Sequence, residues 1–271
     1  MRLQVRHQTA YRYETPVAAA TQTLRLIPRS YEGLTVHRWM VRSDLKDDLP
    51  SFIDGYGNVV HCHSINQPHL AAAIFVEGEV ETMNTHGIVR GAPEPLPPLF
   101  FLRRTPLTMP DAALEALAGS VARQGSVLKQ LHHLVRLVRD KVEYRPGATD
   151  EATSAAAALA AGVGVCQDHA HIFISAARLL GIPARYVGGY LWTSDDVREY
   201  QATHAWAEAF VHDLGWVGFD PSNRICPTEA YIRTSVGLDY ASAALVRGGR
   251  RGSAAETLAV KVKITQAGSD Q

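Results

Sequence analysis

The chain has 271 residues, which allows one large domain or two ordinary ones, and it carries 27 basic and 27 acidic side chains. Because the formal net charge is zero, no global field attracts nucleic acid, an anionic membrane or an acidic polymer, and none of these is a predicted partner. The opening residues MRLQVRHQTAYRYE alternate polar and apolar types where a secretory signal needs an unbroken apolar core. We therefore expect a soluble, cytoplasmic protein.

Residues 2–83 show a period of two, in which β-branched and aromatic residues recur at alternate positions. Turn-forming segments separate the resulting strands, and this spacing predicts an antiparallel β-sandwich or small barrel. Six of the fourteen prolines lie between Arg90 and Pro110, so that segment is predicted to be an irregular crossover between domains. We predict a β-rich domain at residues 1–95 and a second domain at residues 96–271.

The period becomes helical after the crossover. Four helices are predicted: from Asp111 to about Gln124, from Ser126 onward, from about Ser154 to Ala160, and from about Cys166 to Leu180. Beyond them, ARYVGGYLW, HAWAEAFV, GWVGFD and LAVKVKIT are typical of strands, while Arg247, Arg250 and Arg251 are predicted to form a solvated loop. The second domain is thus predicted to be α+β, with helices preceding an antiparallel sheet.

One of the three cysteines, Cys166, lies where the loop GVGVCQDHA enters a predicted helix. Glycines let the backbone turn sharply and approach a ligand, because they lack a Cβ atom. The helix N-terminus favours negative charge, so it would stabilise a Cys166 thiolate and, through backbone N–H groups, a substrate oxyanion. The alternative is a small buried side chain, because free cysteines are among the most buried residues. Cys62 and Cys226 have no base in their own segments and are predicted to be inert.

A thiolate nucleophile needs a base, and HAWAEAFVHDLGWVGFD supplies one. Alternation puts His204 and Trp206 on one face of a strand, with alanines on the other. If the following loop holds three residues, Val211 pairs with Gly215, and Asp220 falls opposite Trp206 and diagonal to His204. The hairpin alone therefore predicts a pair between His204 and Asp220, unless a bulge changes the register.

Four separated segments, GVGVCQDHA, GIPARYVGGYL, HAWAEAF and GWVGFDPSN, together resemble the signature of the bacterial transglutaminase-like superfamily. HQTAYRYETPV, LRLIPR and DGYGNVV resemble the β-rich region that precedes the catalytic domain in one bacterial branch. GLDYASAALVRG resembles a later segment of that branch, although Leu238 stands where arginine is expected. The resemblance implies a papain-like core, a thioester intermediate, and a triad of Cys166, His204 and Asp220 that needs no cofactor.

Five further residues are candidates for the oxyanion site or the cleft: Tyr144, Gln167, Asp168, Trp206 and Glu208. Asp168 matches the family's acid two residues after the nucleophile, but an acid in the first helical turn also compensates the helix dipole. Trp206 and Tyr144 could line the cleft or pack in the core. Glu208 is predicted to make a structural hydrogen bond near the site.

These features predict acyl transfer from a peptide or protein amide to Cys166, followed by release of the thioester to water or an amine. Hydrolysis is the first choice, because transamidation needs a second site that shields the thioester and admits an amine. The alternative of another class is a non-enzymatic binding protein that keeps the fold, although its triad would be expected to have eroded. No metal is predicted, because His169 and His171 diverge by about 200° on a helix and lack a partner four residues away.

Overall fold

A computed structural model describes residues 1–46, 48–121, 125–194 and 203–267. The first third of the chain forms six strands: β1 (Arg2–Val17), β2 (Ala19–Ile27), β3 (Leu34–Ser43), β4 (Ser51–Ile53), β5 (Val59–Ile65) and β6 (His69–Thr82). In β1, Leu3 and Val5 are buried while Arg2 and Arg6 are exposed, because successive side chains of a strand point to opposite faces. The strands predicted for this region are therefore confirmed.

A two-residue strand, β7 (Ile88–Val89), precedes the proline-rich crossover, which contains short 3₁₀ helices at Pro98–Leu102 and Pro106–Thr108. The prediction that this segment is wholly irregular is wrong to that extent. Each 3₁₀ helix has a proline in its first turn, where a missing N–H costs little because it would have no partner within the helix.

The helical region contains α1 (Ala112–Gly119), α2 (Val127–Lys141), α3 (Ala155–Ala161) and α4 (Cys166–Leu179). The side chains of Asp111, Ser126 and Ser154 cap the first three by accepting backbone N–H hydrogen bonds, as their sequence positions predict. The end of α1 that was predicted near residue 124 lies outside the described residues. Within the described ranges, none of the helices has the length and hydropathy that crossing a bilayer requires.

The helices pack on an antiparallel sheet in the order β13-β10-β11-β12-β7. Its longer strands are β10 (Ala184–Leu191), β11 (Thr203–Val211), β12 (Gly215–Phe219) and β13 (Tyr231–Gly237), while β8 (Glu143–Tyr144) and β9 (Val163–Gly164) form a separate parallel pair. Ala205, Ala207 and Ala209 of β11 share one buried core with Ala170 and Phe173 of α4. Small side chains on this face let α4 approach β11 closely. The predicted α+β fold is therefore confirmed.

The remaining elements are α5 (Tyr240–Ala243), β14 (Val246–Arg251) and β15 (Glu256–Gln266). β15 pairs with β1 and β14 pairs with β2, which gives two four-stranded sheets, β15-β1-β6-β3 and β14-β2-β5-β4. Leu24 and Leu26 of the second sheet share a core with Ile74 and Val76 of the first. The two sheets therefore pack face to face as a sandwich, one of the two arrangements that the sequence predicts.

Two predictions about the C-terminal region are corrected. The basic segment with Arg247, Arg250 and Arg251 forms strand β14 rather than a solvated loop. The strand LAVKVKIT pairs with β1 in the sandwich, not with the sheet under α4. Period-two alternation identifies a strand but not its neighbour, and these strands complete edges that β1 and β2 would otherwise leave open. The predicted division between residues 95 and 96 thus assigns β14 and β15 to a different domain from the strands with which they pair.

Asn58 joins the sandwich to the sheet under α4. Its buried side-chain amide donates to the Val236 carbonyl and accepts from the Val236 N–H, both at 2.8 Å. The side chain thereby imitates the backbone of a neighbouring strand along β13. Asp54 holds the amide in place through a 3.0 Å hydrogen bond from Asn58 Nδ2. These contacts explain the role of Asp54 and Asn58 in the segment DGYGNVV, which is to connect the sandwich to β13.

Candidate active site

Cys166 is the first residue of α4, and Asp168 holds the loop before it. The Asp168 carboxylate accepts hydrogen bonds from the Val165 N–H at 2.8 Å and from the Thr149 hydroxyl at 2.6 Å. A side chain at Gly164 is excluded, because its Cβ would lie 2.8 Å from the Asp168 Cβ. Asp168 is fully buried and its pKa is raised by burial. It therefore holds the loop that carries the Cys166 backbone and does not line the cleft, and its place in the first turn of α4 is compatible with both of the predicted alternatives.

β11 and β12 form the predicted hairpin, in which Val211 pairs with Gly215 across a three-residue loop. The register runs to the pair of Ala207 and Phe219, and continued by one residue it puts Asp220 opposite Trp206. His204 lies on the face of Trp206, two residues earlier, and its Nε2 is 2.7 Å from Asp220 Oδ2. The hairpin geometry therefore brings the two residues together as expected.

Two further residues donate hydrogen bonds to the Asp220 carboxylate. The Tyr231 hydroxyl and the Asn223 side-chain amide each donate to Oδ2 at 2.7 Å, and the Asn223 N–H donates to Oδ1 at 3.2 Å. Burial alone would raise the pKa of Asp220, but His204 and these hydrogen bonds outweigh burial and lower the pKa. Asp220 is therefore held as a fully buried carboxylate beside the imidazole.

His204 uses Nε2 for Asp220, which leaves Nδ1 as the atom available to Cys166. Burial alone would lower the pKa of His204, but the Asp220 carboxylate and the neighbouring Cys166 side chain outweigh it and raise the pKa to about 10. The raised pKa favours the imidazolium form of the ring. A cation in this position stabilises a thiolate at Cys166, which is the reactive form of the side chain.

Cys166 and His204 line a cavity of about 970 Å³. One wall comes from α4 and the sheet beneath it, and the other comes from the sandwich. Four side chains alternate along β1 on that second wall: His7, Thr9, Tyr11 and Tyr13. The cavity volume lies at the upper end of the range for ligand sites, about 300 to 1,000 Å³. The N-terminal sandwich is thus part of the cleft rather than a separate appendage.

Of the five predicted oxyanion or cleft residues, only Gln167 lines this cavity. Trp206 is buried behind His204, with the two rings nearly parallel and their centroids 6.3 Å apart. Tyr144 lies beside the ring of His169, with centroids 6.0 Å apart. Neither aromatic residue lines the cavity, and Trp206 instead packs in a buried cluster with Val187 and Tyr231.

Glu208 belongs to a buried ion-pair network outside the cavity. Its carboxylate accepts hydrogen bonds from Arg185 Nε and Arg233 Nε, both at 2.7 Å. Arg185 Nη2 in turn donates to Glu94 in the proline-rich crossover at 2.9 Å. Burial alone would raise the pKa of Glu208, but the two guanidinium groups outweigh it and lower the pKa to about 2. Glu208 therefore makes the structural hydrogen bonds that were predicted for it, ties the crossover to the sheet, and does not line the cavity as a cleft residue would.

His169 and His171 both have structural partners. His169 Nε2 donates to the Val142 carbonyl at 3.1 Å and Nδ1 accepts from the Ser222 hydroxyl at 2.9 Å, while His171 Nε2 accepts from the Tyr240 N–H at 3.0 Å. Burial lowers the pKa of each to about 4, so both are neutral at physiological pH. The described part of the chain contains no group of three or more His, Cys, Asp or Glu residues that could hold a metal ion.

Sequence reasoning missed Asn223 and Tyr231, the additional partners of Asp220. Asn223 lies three residues after Asp220 in DPSN, a spacing at which a turn can return an amide to a carboxylate. Tyr231 is the first residue of β13, whose segment YIRTSVG has the β-branched and aromatic composition of a strand. The sequence contains both signals. The turn after Asp220 is local and could have indicated Asn223, whereas Tyr231 reaches Asp220 only through the tertiary packing of β13.

Comparison with known proteins places the chain in a family. The pattern of the transglutaminase-like superfamily matches residues 115–221, and that of the bacterial transglutaminase-like N-terminal region matches residues 3–81. Uncharacterized protein ML0607 of Mycobacterium leprae is 31% identical over 98% of this chain and 99% of its own. Uncharacterized protein Rv2569c of Mycobacterium tuberculosis is 30% identical over 91% of this chain and 87% of its own.

A solved structure from Cytophaga hutchinsonii, described as that of a proposed cysteine protease, has the same fold. Its TM-score is 0.79 at 20% identity, and the match covers 100% of this chain and 92% of that one. Fold and family together support a cysteine-based enzyme. The chain belongs to the transglutaminase-like superfamily and carries the bacterial transglutaminase-like N-terminal region. Cys166, His204 and Asp220 all lie within the part that matches the superfamily.

Proposed function

We propose that the protein is a cysteine-dependent enzyme that acts on peptide or protein amides, with hydrolysis as its main reaction. The observation that carries the proposal is the 2.7 Å hydrogen bond between His204 and Asp220, with His204 and Cys166 facing the same cavity. A nucleophile, a base and a group that orients the base are the parts that covalent catalysis needs. Burial of Asp220 and the raised pKa of His204 support these roles.

In the first half of the reaction, the Cys166 thiolate attacks the amide carbonyl carbon. The carbonyl oxygen becomes an oxyanion, and stabilisation of it by the backbone N–H groups at the start of α4 is part of the proposal, because a helix N-terminus favours negative charge. The His204 imidazolium then gives its Nδ1 proton to the leaving nitrogen as the carbon–nitrogen bond breaks. The products are a free amine, a neutral imidazole and a thioester at Cys166.

In the second half, neutral His204 takes a proton from water, and the resulting hydroxide attacks the thioester carbonyl. The carbon–sulfur bond breaks, which releases a carboxylic acid and restores the thiolate and the imidazolium. Asp220 keeps the ring in one orientation throughout through Nε2. An amine in place of water would give transamidation, which needs a site that shields the thioester from water and admits the amine.

A casein assay separates hydrolysis from transfer. We expect the wild-type protein to release new amino groups from casein, measured with fluorescamine, and to incorporate no dansylcadaverine. Cys166→Ala, the matched control, is expected to release none. Incorporation of dansylcadaverine without release of amines would favour a transamidase instead.

Absence of both activities, together with no covalent labelling by a thiol-reactive peptide electrophile, would favour the non-enzymatic binding protein. That class predicts saturable binding of peptide that Cys166→Ala leaves unchanged. The hydrolase predicts a stable Cys166 adduct with the electrophile, which intact-mass measurement detects.

A further inference from the structure

Strand β14 is at the edge of its sheet: among the described residues, its backbone pairs with β2 alone. Arg247, Gly248 and Gly249 are exposed. The N–H and C=O groups along such an edge are free to pair with another extended chain.

The cavity that contains Cys166 meets β14 along this edge. Only alternate residues of β1 line the cavity, because that strand presents one face to it. In β14, by contrast, the five consecutive residues from 246 to 250 all line the cavity. Successive side chains of a strand point to opposite faces, so side chains from one face cannot account for five consecutive lining residues. The backbone of β14 therefore borders the same cavity as the Cys166 thiol.

The ladder between β14 and β2 identifies which backbone groups are free. In an antiparallel pair, alternate residues of a strand direct their N–H and C=O to the same neighbour. The Leu245 carbonyl accepts from the Arg25 N–H at 2.8 Å, so positions 247 and 249 also face β2. Val246, Gly248 and Arg250 consequently direct their backbone groups to the open edge.

We propose that this edge binds the main chain of an extended peptide substrate, which adds to the sheet as a strand beside β14 and so brings one of its amides to Cys166. The inference rests on the proposed function and extends it, because it names main-chain recognition as the basis of binding. Gly249 leaves its face of the strand clear for the incoming chain, because no heavy atom lies within 4 Å of where its side chain would begin, whereas the same position at Gly248 is filled by Thr21 and Gln22 of β2. Main-chain pairing supplies affinity without demanding a particular side chain.

The test compares Arg250→Pro with Arg250→Ala. Both remove the Arg250 side chain and its 2.9 Å ion pair with Glu256, but only proline removes the N–H and places a ring at the open edge. The preceding Gly249 lacks the Cβ that would clash with the proline ring. The probe is a tetra-alanine chloromethyl ketone, and its rate of Cys166 labelling is divided by the iodoacetamide rate of the same variant. We expect this ratio to be about tenfold lower in the proline variant, as for the loss of roughly one main-chain hydrogen bond.

A second comparison uses the wild-type protein alone, in case Arg250→Pro does not fold. The ketone with N-methylated internal amides is expected to label Cys166 about tenfold more slowly than the unmodified ketone, again for one lost hydrogen bond. Equal ratios of ketone to iodoacetamide labelling in the two variants would overturn the inference, and so would equal rates for the two ketones. Preferential labelling of Cys166 by iodoacetamide in the same experiment would leave the proposed function standing. Failure of iodoacetamide to prefer Cys166 would overturn the proposed function and this inference with it.

Discussion

Cys166→Ala is expected to lower the rate of amide hydrolysis by about 10⁶-fold, as loss of the nucleophile does in other triad enzymes. Asp220→Asn is expected to lower it by only about 10⁴-fold, because the orienting group contributes less than the nucleophile. The amide side chain can still hydrogen-bond His204 but no longer carries the charge that raises its pKa. The measurement is kcat on whichever peptide the casein digest identifies.

Cys62→Ala and Cys226→Ala are the matched controls for this experiment. Both remove a thiol of intermediate burial that does not line the cavity, and both are expected to keep the wild-type rate. Equal rates for Cys166→Ala and the wild type would show that Cys166 is not the nucleophile. A loss of rate in the control variants would point to a general effect on the fold.

Glu208→Ala is expected to lower the free energy of unfolding by about 3 to 5 kcal/mol, because it leaves buried guanidinium groups without their partner. Glu208 is fully buried between Arg185 and Arg233, and both of these side chains are also largely removed from water. Arg185 keeps Glu94 and its stacking over Trp216, at 3.8 Å from the ring centroid, so Arg233 is the side chain left with least compensation. Urea denaturation at pH 7 measures the change.

The sign of the pH dependence follows from the pKa of Glu208, which falls from 4.5 to about 2 in the folded chain. A lowered carboxyl pKa contributes stability in full above 4.5 and loses it as the pH falls towards about 2. The difference in stability between wild type and Glu208→Ala should therefore shrink across that window.

Asp140→Ala is the control for Glu208→Ala, because it breaks the exposed ion pair with Arg224. An exposed pair of this kind contributes about 0 to 1 kcal/mol. Similar losses of stability in the two variants would contradict the assignment of Glu208 as the centre of a buried network.

Local signals in the sequence predicted most of the catalytic half of the fold. Asp111, Ser126 and Ser154 stand at three predicted helix starts, and each caps its helix in the structure, because capping depends on residues within one turn. The hairpin register was also predictable, because a three-residue loop fixes the pairing of Val211 with Gly215. The pair of His204 and Asp220 follows from that register without knowledge of the rest of the chain.

Pairing between distant segments could not be predicted in this way. β14 and β15 join the sandwich more than 200 positions after β1 and β2, and alternation along a strand is the same whichever sheet receives it. Glu208 illustrates the same limit for a single residue. Its sequence position indicated a structural hydrogen bond near the site, but the partners, Arg185 of β10 and Arg233 of β13, are set by the order of the strands in the sheet. The part of the cavity wall that β1 forms could likewise not be predicted, because it depends on how the sandwich packs against the domain that contains α4.

The reactivity of Cys166 is the central claim, and iodoacetamide labelling at about pH 6 followed by peptide mapping tests it without a substrate. This pH is roughly two units below the value of about 8.5 for a free thiol, so an unassisted cysteine reacts slowly. Cys166 should label readily, whereas Cys226, whose pKa is raised by burial, and Cys62 should not. His204→Ala should slow the labelling of Cys166, and Asp220→Asn should slow it less. Equal labelling of the three cysteines in the folded protein, or a Cys166 rate unchanged by His204→Ala, would contradict the proposed activated thiolate and favour a structural role for Cys166.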